Sequence, residues 1–270
     1  MNDRVTVSLS NGVADVRLAR PDKMNALDIE MFDALVATAE RLSNEKGLRA
    51  VVLSGEGRAF CAGLDMGRFS AMKDHGGNGI VGGEKRDLTI RTHGDANKPQ
   101  QAVWGWRQLP VPVIAAVHGV AFGGGFQLAL GADMRFLSPD ARMSIMEIKW
   151  GLVPDMAGTP ILARLVRDDI LRDLTFTGRV FSAQEAMSYG LATRVVEDPY
   201  KEAMEAAREI AGKSPDAIRA VKRLFNKLSV DPAPALLAES VEQQKLIGSA
   251  NQLEAVRANL DKREPRFSDS

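Results

Sequence analysis

The sequence predicts an α/β fold followed by a helical C-terminal region. Strand-like apolar segments alternate with helical segments over the first two hundred residues, the order typical of an α/β core. From residue 200 onward the spacing of apolar residues is almost entirely helical. We therefore expect a core over residues 1–199 and a helical region over residues 200–270.

The first predicted element is a β-hairpin over residues 5–18. Apolar and polar residues alternate there around Asn11-Gly12, and an Asn-Gly pair between alternating runs is a strong hairpin signal. An amphipathic helix should follow over residues 28–42, where apolar side chains recur at helical spacing. Further strand-like runs lie near residues 50–53, 111–117, 132–137 and 143–148.

Helix-start signals dominate the later part of the chain. The segments 182–185 and 249–252 both fit a capping box, and Ser214-Pro215 fits an N-cap followed by proline in the first turn. Thr159-Pro160 predicts another helix start of the same kind. One short strand, over residues 194–196, should interrupt this helical part.

Residues 66–105 differ from their surroundings in composition. Glycines lie among charged residues in this segment, which predicts a mobile loop. A short helix is expected inside it over residues 86–92. Trp104 and Trp106 are candidates for lining a ligand pocket or for packing in the core.

Charge and composition narrow the classes of function. Lys+Arg and Asp+Glu both number 35, so no net field favours nucleic acid or an anionic membrane. No apolar run approaches the length of a membrane span, and the N-terminus lacks an apolar signal segment. The single cysteine, Cys61, excludes an intrachain disulfide and a multi-cysteine zinc site. We expect a cytoplasmic protein with no metal, nucleic-acid or membrane partner.

Two glycine-rich turns carry the strongest chemical signal. The first spans residues 58–65 and the second residues 118–125, and each follows a strand-like run. Backbone N–H groups at two such turns can hold one carbonyl oxygen and stabilise negative charge that develops on it. Two carboxylates, Glu147 and Asp155, follow, and a carboxylate near that oxygen can move the proton that the charge makes acidic. The pattern predicts enolate chemistry.

Each of these residues also has a simpler structural explanation. The glycines at 123–125 can serve only to permit a tight strand-to-helix turn. Glu147 lies in a strand-like apolar run, where a carboxylate faces either solvent or an active site. Asp155 can act as a helix N-cap, although Thr159 already supplies one.

The motifs together resemble those of the crotonase (enoyl-CoA hydratase/isomerase) superfamily in order and spacing. The matching segments are residues 20–27, 60–65, 123–125, 147–159 and 176–186. The resemblance implies a crotonase-like ββα spiral core, a C-terminal α-helical trimerisation region, and a homotrimer or hexamer. It also implies an acyl-CoA thioester as substrate, with no cofactor beyond the CoA that the substrate carries.

The resemblance implies catalytic roles as well. The backbone N–H groups of Leu64 and Gly124 would form the oxyanion hole. Glu147 would be the catalytic glutamate that hydratases share with many isomerases. Asp155 follows Glu147 by eight residues, and this Glu-x7-Asp pattern is similar to that of dienoyl-CoA isomerases.

Four residues are expected to contact the substrate. By resemblance, Lys23 and Ala26 belong to the segment that meets the CoA nucleotide, Lys23 being available for a phosphate, and Ala62 would contribute its backbone. Gln127 occupies the position where two-glutamate hydratases have their other glutamate and dienoyl-CoA isomerases an aspartate. An amide cannot accept and return a proton at neutral pH. We therefore expect isomerisation of an unsaturated acyl-CoA, with 2-enoyl-CoA hydration and non-catalytic acyl-CoA binding as alternatives.

Overall fold

The computed structural model describes residues 4–67, 87–227 and 233–263. Residues 68–86 of the predicted loop over residues 66–105, including the start of its predicted helix, lie outside these ranges. The strands are β1 Val5–Ser10, β2 Val13–Leu18, β3 Ala50–Gly55, β4 Val113–Val117, β5 Val120–Phe122, β6 Met134–Leu137, β7 Arg142–Ser144, β8 Phe181–Ser182 and β9 Arg194–Val195. The α-helices are α1 Ile29–Ser43, α2 Lys98–Gln108, α3 Gly124–Leu130, α4 Gly158–Leu162, α5 Asp168–Thr177, α6 Ala183–Ser188, α7 Pro199–Ala211, α8 Pro215–Lys227, α9 Ala233–Leu246 and α10 Ala250–Leu260. Short 3-10 helices form at Pro21–Lys23 and Glu147–Trp150.

The strands form two sheets. The larger has six strands in the order β1-β2-β3-β4-β6-β9, and the smaller has three in the order β5-β7-β8. The predicted hairpin is confirmed, since β1 and β2 pair antiparallel around Asn11 and Gly12, both with positive φ. From β2 onward the larger sheet is parallel, with helices between its strands, which confirms the α/β prediction.

The larger sheet is covered on both faces. Along β3, Val51 and Leu53 belong to the main core, whereas Ala50 and Val52 belong to a second cluster that includes Ala203 of α7. A parallel strand buried on both faces reads as a continuous apolar run, which is why this segment shows no alternation. Helix α7, the first of the predicted C-terminal helical region, thus packs directly on the core sheet.

The chain passes from the larger to the smaller sheet at Gly119. Strands β4 and β5 are separated by only two residues but pair in different sheets. Gly119 has a φ of 60°, and a Cβ added there would lie 2.2 Å from the carbonyl oxygen of Arg58. Only glycine allows this approach. His118 is fixed beside it by a hydrogen bond between its Nε2 and the Gly57 carbonyl oxygen.

The helix-start signals succeed where the cap is local. Asp28 accepts a hydrogen bond from the Met31 N–H at the start of α1, and Ser182 forms the predicted capping box with Glu185. Ser249 caps α10 through the Gln252 N–H, but the Gln252 side chain accepts from the Gly248 N–H, so the reciprocal half of that box is absent among the described residues.

Two local predictions are wrong. Helix α4 begins at Gly158 after Ala157, so Thr159 lies inside the helix rather than at its cap. Residues 87–92 form turns instead of a helix, because the Asp87 side chain accepts hydrogen bonds from the N–H and hydroxyl of Thr89. Arg86, where that helix was expected to start, is outside the described residues.

The two tryptophans pack in the core. Trp106 is fully buried in the main cluster, and Trp104 packs against the same cluster from a partly buried position. Within the described ranges, every helix is too short or too polar to cross a lipid bilayer.

Candidate active site

The two predicted amide turns lie directly against each other. The Cys61 N–H donates to the Val120 carbonyl at 3.0 Å, and the Phe122 N–H donates to the Cys61 carbonyl at 3.1 Å. On its other side, the Gly63 carbonyl accepts from the Leu27 N–H at 2.7 Å. The segment around residues 61–64 is therefore held between β5 and the loop that precedes α1.

Glycine is required at this contact for steric reasons. Gly63 has a φ of 90°, and a Cβ there would lie 2.6 Å from the Phe122 carbonyl oxygen. A Cβ on Gly125 would lie 2.2 Å from the Cys61 carbonyl oxygen. Because both obstacles are backbone atoms, neither can move aside cheaply. The close approach of the two turns thus depends on these glycines.

The predicted oxyanion-hole residues both line one cleft of about 430 Å³. Gly124 is the first residue of α3, so its N–H has no intrahelical acceptor, and the preceding Gly123 supplies no side-chain cap. The Leu64 N–H donates to no acceptor within the described ranges. A Cβ added to Gly63 would lie 3.8 Å from the Gly124 nitrogen, which shows how near the first turn comes to the second.

The cleft is lined by both apolar and polar side chains. Its apolar side chains are Met24, Leu27, Phe32, Ala62, Leu64, Met66, Pro99, Phe122, Met146, Trp150, Leu152 and Met156. Its charged and amide side chains are Glu147, Lys149, Asp155, Gln243 and Asn259. Neither Trp104 nor Trp106 belongs to this lining among the described residues.

Glu147 lies at the start of a 3-10 helix rather than in a strand. Strand β7 ends at Ser144, and the chain then turns, so the predicted strand over residues 143–148 is wrong in its second half. The turn brings the carboxylate beneath the second amide turn, where a Cβ on Gly123 would lie 3.3 Å from Glu147 Oε1. Glu147 is 8% exposed, which excludes the solvent-facing alternative.

Gln127 is buried beside Glu147. Its Nε2 donates to Glu147 Oε1 at 2.7 Å, while its Oε1 accepts from the backbone N–H groups of Met156 at 2.9 Å and Gly158 at 3.0 Å. Gln127 is 1% exposed and is not part of the cleft lining. The side chain lies behind Glu147 as seen from the cleft, and its substrate contact stays a prediction.

Asp155 is partly buried and lines the cleft together with Glu147. The N-cap residue of α4 is Ala157, which lies in the left-handed region with a φ of 65°. The hydrogen bonds from Met156 and Gly158 to Gln127 supply acceptors for N–H groups at this helix start. Asp155 is therefore not the N-cap residue of α4, and its catalytic role stays a prediction.

The predicted CoA-binding segment is only partly at the cleft. Ala62 lines it, and its N–H donates to the Met24 carbonyl at 2.9 Å. Ala26 is 8% exposed and is absent from the described lining, so the structure does not place its side chain against the substrate. Lys23 is exposed next to Met24, which does line the cleft, and its phosphate contact stays a prediction.

The ion pair that holds the segment over residues 20–27 was not predicted from the sequence. Arg20 Nη1 donates to Asp65 Oδ2 at 2.6 Å and to the Ala26 carbonyl at 3.1 Å. Burial would raise the pKa of Asp65, but hydrogen bonds from the Gly67 N–H and from Arg20 hold it below its ordinary value. Asn25 adds two hydrogen bonds to backbone carbonyls of residues 56 and 59. The opposite charges of Arg20 and Asp65 were the available signal.

The C-terminal helices form part of the same cleft. Gln243 of α9 accepts a hydrogen bond from the Val153 N–H at 3.3 Å, and Asn259 of α10 donates to the Lys149 carbonyl. Both side chains line the cleft. No local pattern in the sequence indicated this, because the contacts join positions about a hundred residues apart.

Cys61 is a buried packing residue. Its side chain is fully buried, and burial raises the pKa of the Cys61 thiol to about 12. The thiol is therefore protonated near neutral pH and cannot act as a nucleophile.

Similarity to known proteins extends over nearly the whole chain. The family model described as enoyl-CoA hydratase/isomerase matches residues 8–270. The carnitinyl-CoA dehydratase of Proteus mirabilis is 32% identical over 99% of this chain and 99% of its own length. The mevalonyl-coenzyme A hydratase of Beauveria bassiana is 33% identical over 94% of this chain and 91% of its own. A crystal structure of an enoyl-CoA hydratase/isomerase from Pseudoalteromonas atlantica has a TM-score of 0.83 at 29% identity, covering 98% of this chain and 100% of that one.

Proposed function

Because the chain belongs to the enoyl-CoA hydratase/isomerase family, we propose that it catalyses double-bond migration in an unsaturated acyl-CoA thioester. The choice of this reaction depends on one observation. Glu147 and Asp155 line the same cleft as Leu64 and Gly124, whereas Gln127, which cannot titrate, lies behind Glu147. Two carboxylates beside one oxyanion hole suit proton removal and proton return.

The reaction would begin with the thioester carbonyl oxygen between the N–H groups of Leu64 and Gly124. These donors stabilise the negative charge as a carboxylate removes a proton from the acyl chain, giving the enolate. A proton then returns at another carbon, so the double bond moves and no atom is gained or lost. Glu147 and Asp155 are the proton carriers, and their order is left open.

Apolar side chains support this reaction by limiting water. Leu27, Phe32 and Met156 line the same cleft as the oxyanion-hole residues. Exclusion of water strengthens the hydrogen bonds to the enolate oxygen and protects the intermediate from side reactions. Met156 and Leu27 also lie where a Cβ on Gly124 would clash, at 2.8 Å and 2.9 Å, so they fit closely around that turn.

Reversible hydration is the second candidate, and the names of the relatives favour it. Relatives above 30% identity include a carnitinyl-CoA dehydratase and a mevalonyl-coenzyme A hydratase. In this reaction Glu147 would activate a water that adds to a 2-enoyl-CoA. Asp155 is the other carboxylate in the described cleft lining. These names also indicate polar acyl groups, for which Lys149, Gln243 and Asn259 are available contacts.

A panel of CoA esters tests both reactions. The protein is incubated with 2-enoyl-, 3-enoyl-, dienoyl- and hydroxylated acyl-CoA esters, and products are followed by mass and ultraviolet absorbance. Isomerisation changes absorbance at constant mass, whereas hydration adds the mass of one water. Glu147→Gln is the matched control, with at least about a hundredfold lower rate expected from lost acid–base catalysis. Binding of the esters without turnover would favour a non-catalytic acyl-CoA binder and contradict the proposal.

A further inference from the structure

We infer that Gln127 is a positioning residue, which fixes the orientation of the Glu147 carboxylate and holds it as a hydrogen-bond acceptor. The inference deepens the proposed function and rests on it for the role of Glu147. It starts from three hydrogen bonds of one buried amide, to Glu147 Oε1 and from the N–H groups of Met156 and Gly158.

The backbone determines which way the Gln127 amide points. Two N–H donors face one end of the amide, so that end must be the acceptor oxygen. The donor end, Nε2, is then directed at Glu147 Oε1 at 2.7 Å. The flipped amide would set its NH2 group against two N–H donors and its oxygen against the carboxylate. Both contacts would be repulsive, so the orientation is unique.

Burial keeps Gln127 in this position. Its side chain is 1% exposed, and it packs so closely on Gly158 that a Cβ there would lie 2.6 Å from Gln127 Oε1. Gly123 approaches Glu147 Oε1 closely, since a Cβ there would lie 3.3 Å from that oxygen, tighter than ordinary contact. The carboxylate oxygen is therefore confined between the second amide turn and the amide of Gln127.

A hydrogen bond donated to a carboxylate favours its charged form, which is the form that accepts a proton. Gln127 thus supplies Glu147 with a fixed donor that itself never changes protonation state near neutral pH. Asp155 and Lys149 are the other charged side chains in the described cleft lining. Lys149 is exposed, whereas the amide of Gln127 is buried against Glu147.

The same geometry predicts the effect of a second glutamate. In Gln127→Glu, one oxygen would accept from Met156 and Gly158, and the other would face Glu147 Oε1 at the present 2.7 Å. Two carboxylates at that distance must share a proton. Gln127→Glu should therefore lose activity as the pH rises, rather than gain water addition.

The test compares Gln127→Met with wild type and with a matched control. Methionine preserves the volume and removes the donor, and Gln101→Met makes the same change at a buried glutamine of α2 outside the cleft lining. On the preferred ester, Gln127→Met should lower kcat about 10- to 100-fold with KM within about twofold, the scale of a lost hydrogen bond to a charged group. The acidic limb of its pH–rate profile should move to higher pH. Gln101→Met should match wild type in both respects.

A double variant distinguishes a failure of this inference from a failure of the proposed function. Adding Gln127→Met to Glu147→Gln should cause no further loss, since the orientation of a residue that no longer titrates is irrelevant. Equal kcat and pH profile in Gln127→Met and wild type, with Glu147→Gln inactive, would overturn the positioning role alone. Full activity in Glu147→Gln would instead remove Glu147 from the mechanism.

One readout does not need a substrate. In protein labelled with glutamate carrying carbon-13 in its side-chain carboxyl, the signal missing from Glu147→Gln identifies Glu147. Its titration midpoint should be higher in Gln127→Met than in wild type, and unchanged in Gln101→Met. An identical midpoint in Gln127→Met would refute the inference even if no CoA ester were turned over.

Discussion

Replacing Gly158 by alanine should reduce catalysis without unfolding the protein. Gly158 opens α4 and has no positive φ, so its backbone conformation accepts alanine. The added Cβ, however, would lie 2.6 Å from Gln127 Oε1, whereas ordinary contact begins at 3.4 Å. The amide oxygen must therefore move by several tenths of an ångström.

The direction of that movement decides the consequence. Gln127 cannot slide towards Glu147, because their hydrogen bond is already 2.7 Å long. The amide must rotate, which takes Nε2 away from Glu147 Oε1 or displaces the carboxylate. A displacement near 1 Å at a catalytic group costs up to about a hundredfold in rate. We therefore expect kcat to fall about 10- to 100-fold.

Stability should change little in the same variant. Alanine is the better helix former by up to about 1 kcal/mol, which offsets weakened hydrogen bonds of about 1 kcal/mol each at Gln127 Oε1. Gly212→Ala is the control, since its Cβ would meet only ordinary contacts, at 3.4 Å or more. The assays are kcat on the best ester of the panel and the Tm. Wild-type kcat in a folded Gly158→Ala protein would refute the reasoning about Gln127.

Three further predictions concern other parts of the molecule. Asp155→Asn should abolish exchange of substrate protons with deuterium from heavy water, because the amide cannot carry a proton; full exchange would leave Glu147 as the sole proton carrier. Asp65→Asn should lower the Tm at neutral pH, because the depressed pKa of Asp65 contributes stability that is lost as the pH falls through that pKa. The Tm difference between variant and wild type should disappear in acid, and a difference independent of pH would contradict this prediction. We also propose that the protein is a trimer or hexamer, because Leu224 and Phe225 of α8 are 63% and 64% exposed. Light scattering should show dissociation in Leu224→Asp/Phe225→Asp, and a wild-type monomer at micromolar concentration would contradict the assembly.

Much of the fold was predictable because its signals are local. The hairpin depends on Asn11-Gly12 and on alternation over a few residues on either side. At the starts of α1 and α6, the capping side chain accepts a hydrogen bond from the N–H group three residues later in the chain. The amide turns were recognisable because glycine marks each close backbone approach.

Predictions of local structure are wrong where a backbone group bonds to a distant residue instead of a neighbour in the sequence. The predicted cap at Thr159 is wrong because N–H groups at the start of α4 bond to Gln127, which lies 29 and 31 residues earlier in the chain. The predicted strand through Glu147 is wrong because pairing with β5 stops at Ser144 and pairing with β8 stops at Met143. No sequence pattern marks where a strand loses its neighbours.

The sequence by itself determined which groups are candidates for the chemistry: two glycine turns, a glutamate, an aspartate and a glutamine in the place of an acid. Only the tertiary structure decided that Gln127 lies behind Glu147, and that Gln243 and Asn259 of the C-terminal helices line the cleft. The physical reason is the range of the interactions. Backbone propensities, caps and periodicity act over a few residues, whereas the orientation of a buried amide is set by hydrogen bonds that exist only after distant segments have packed together.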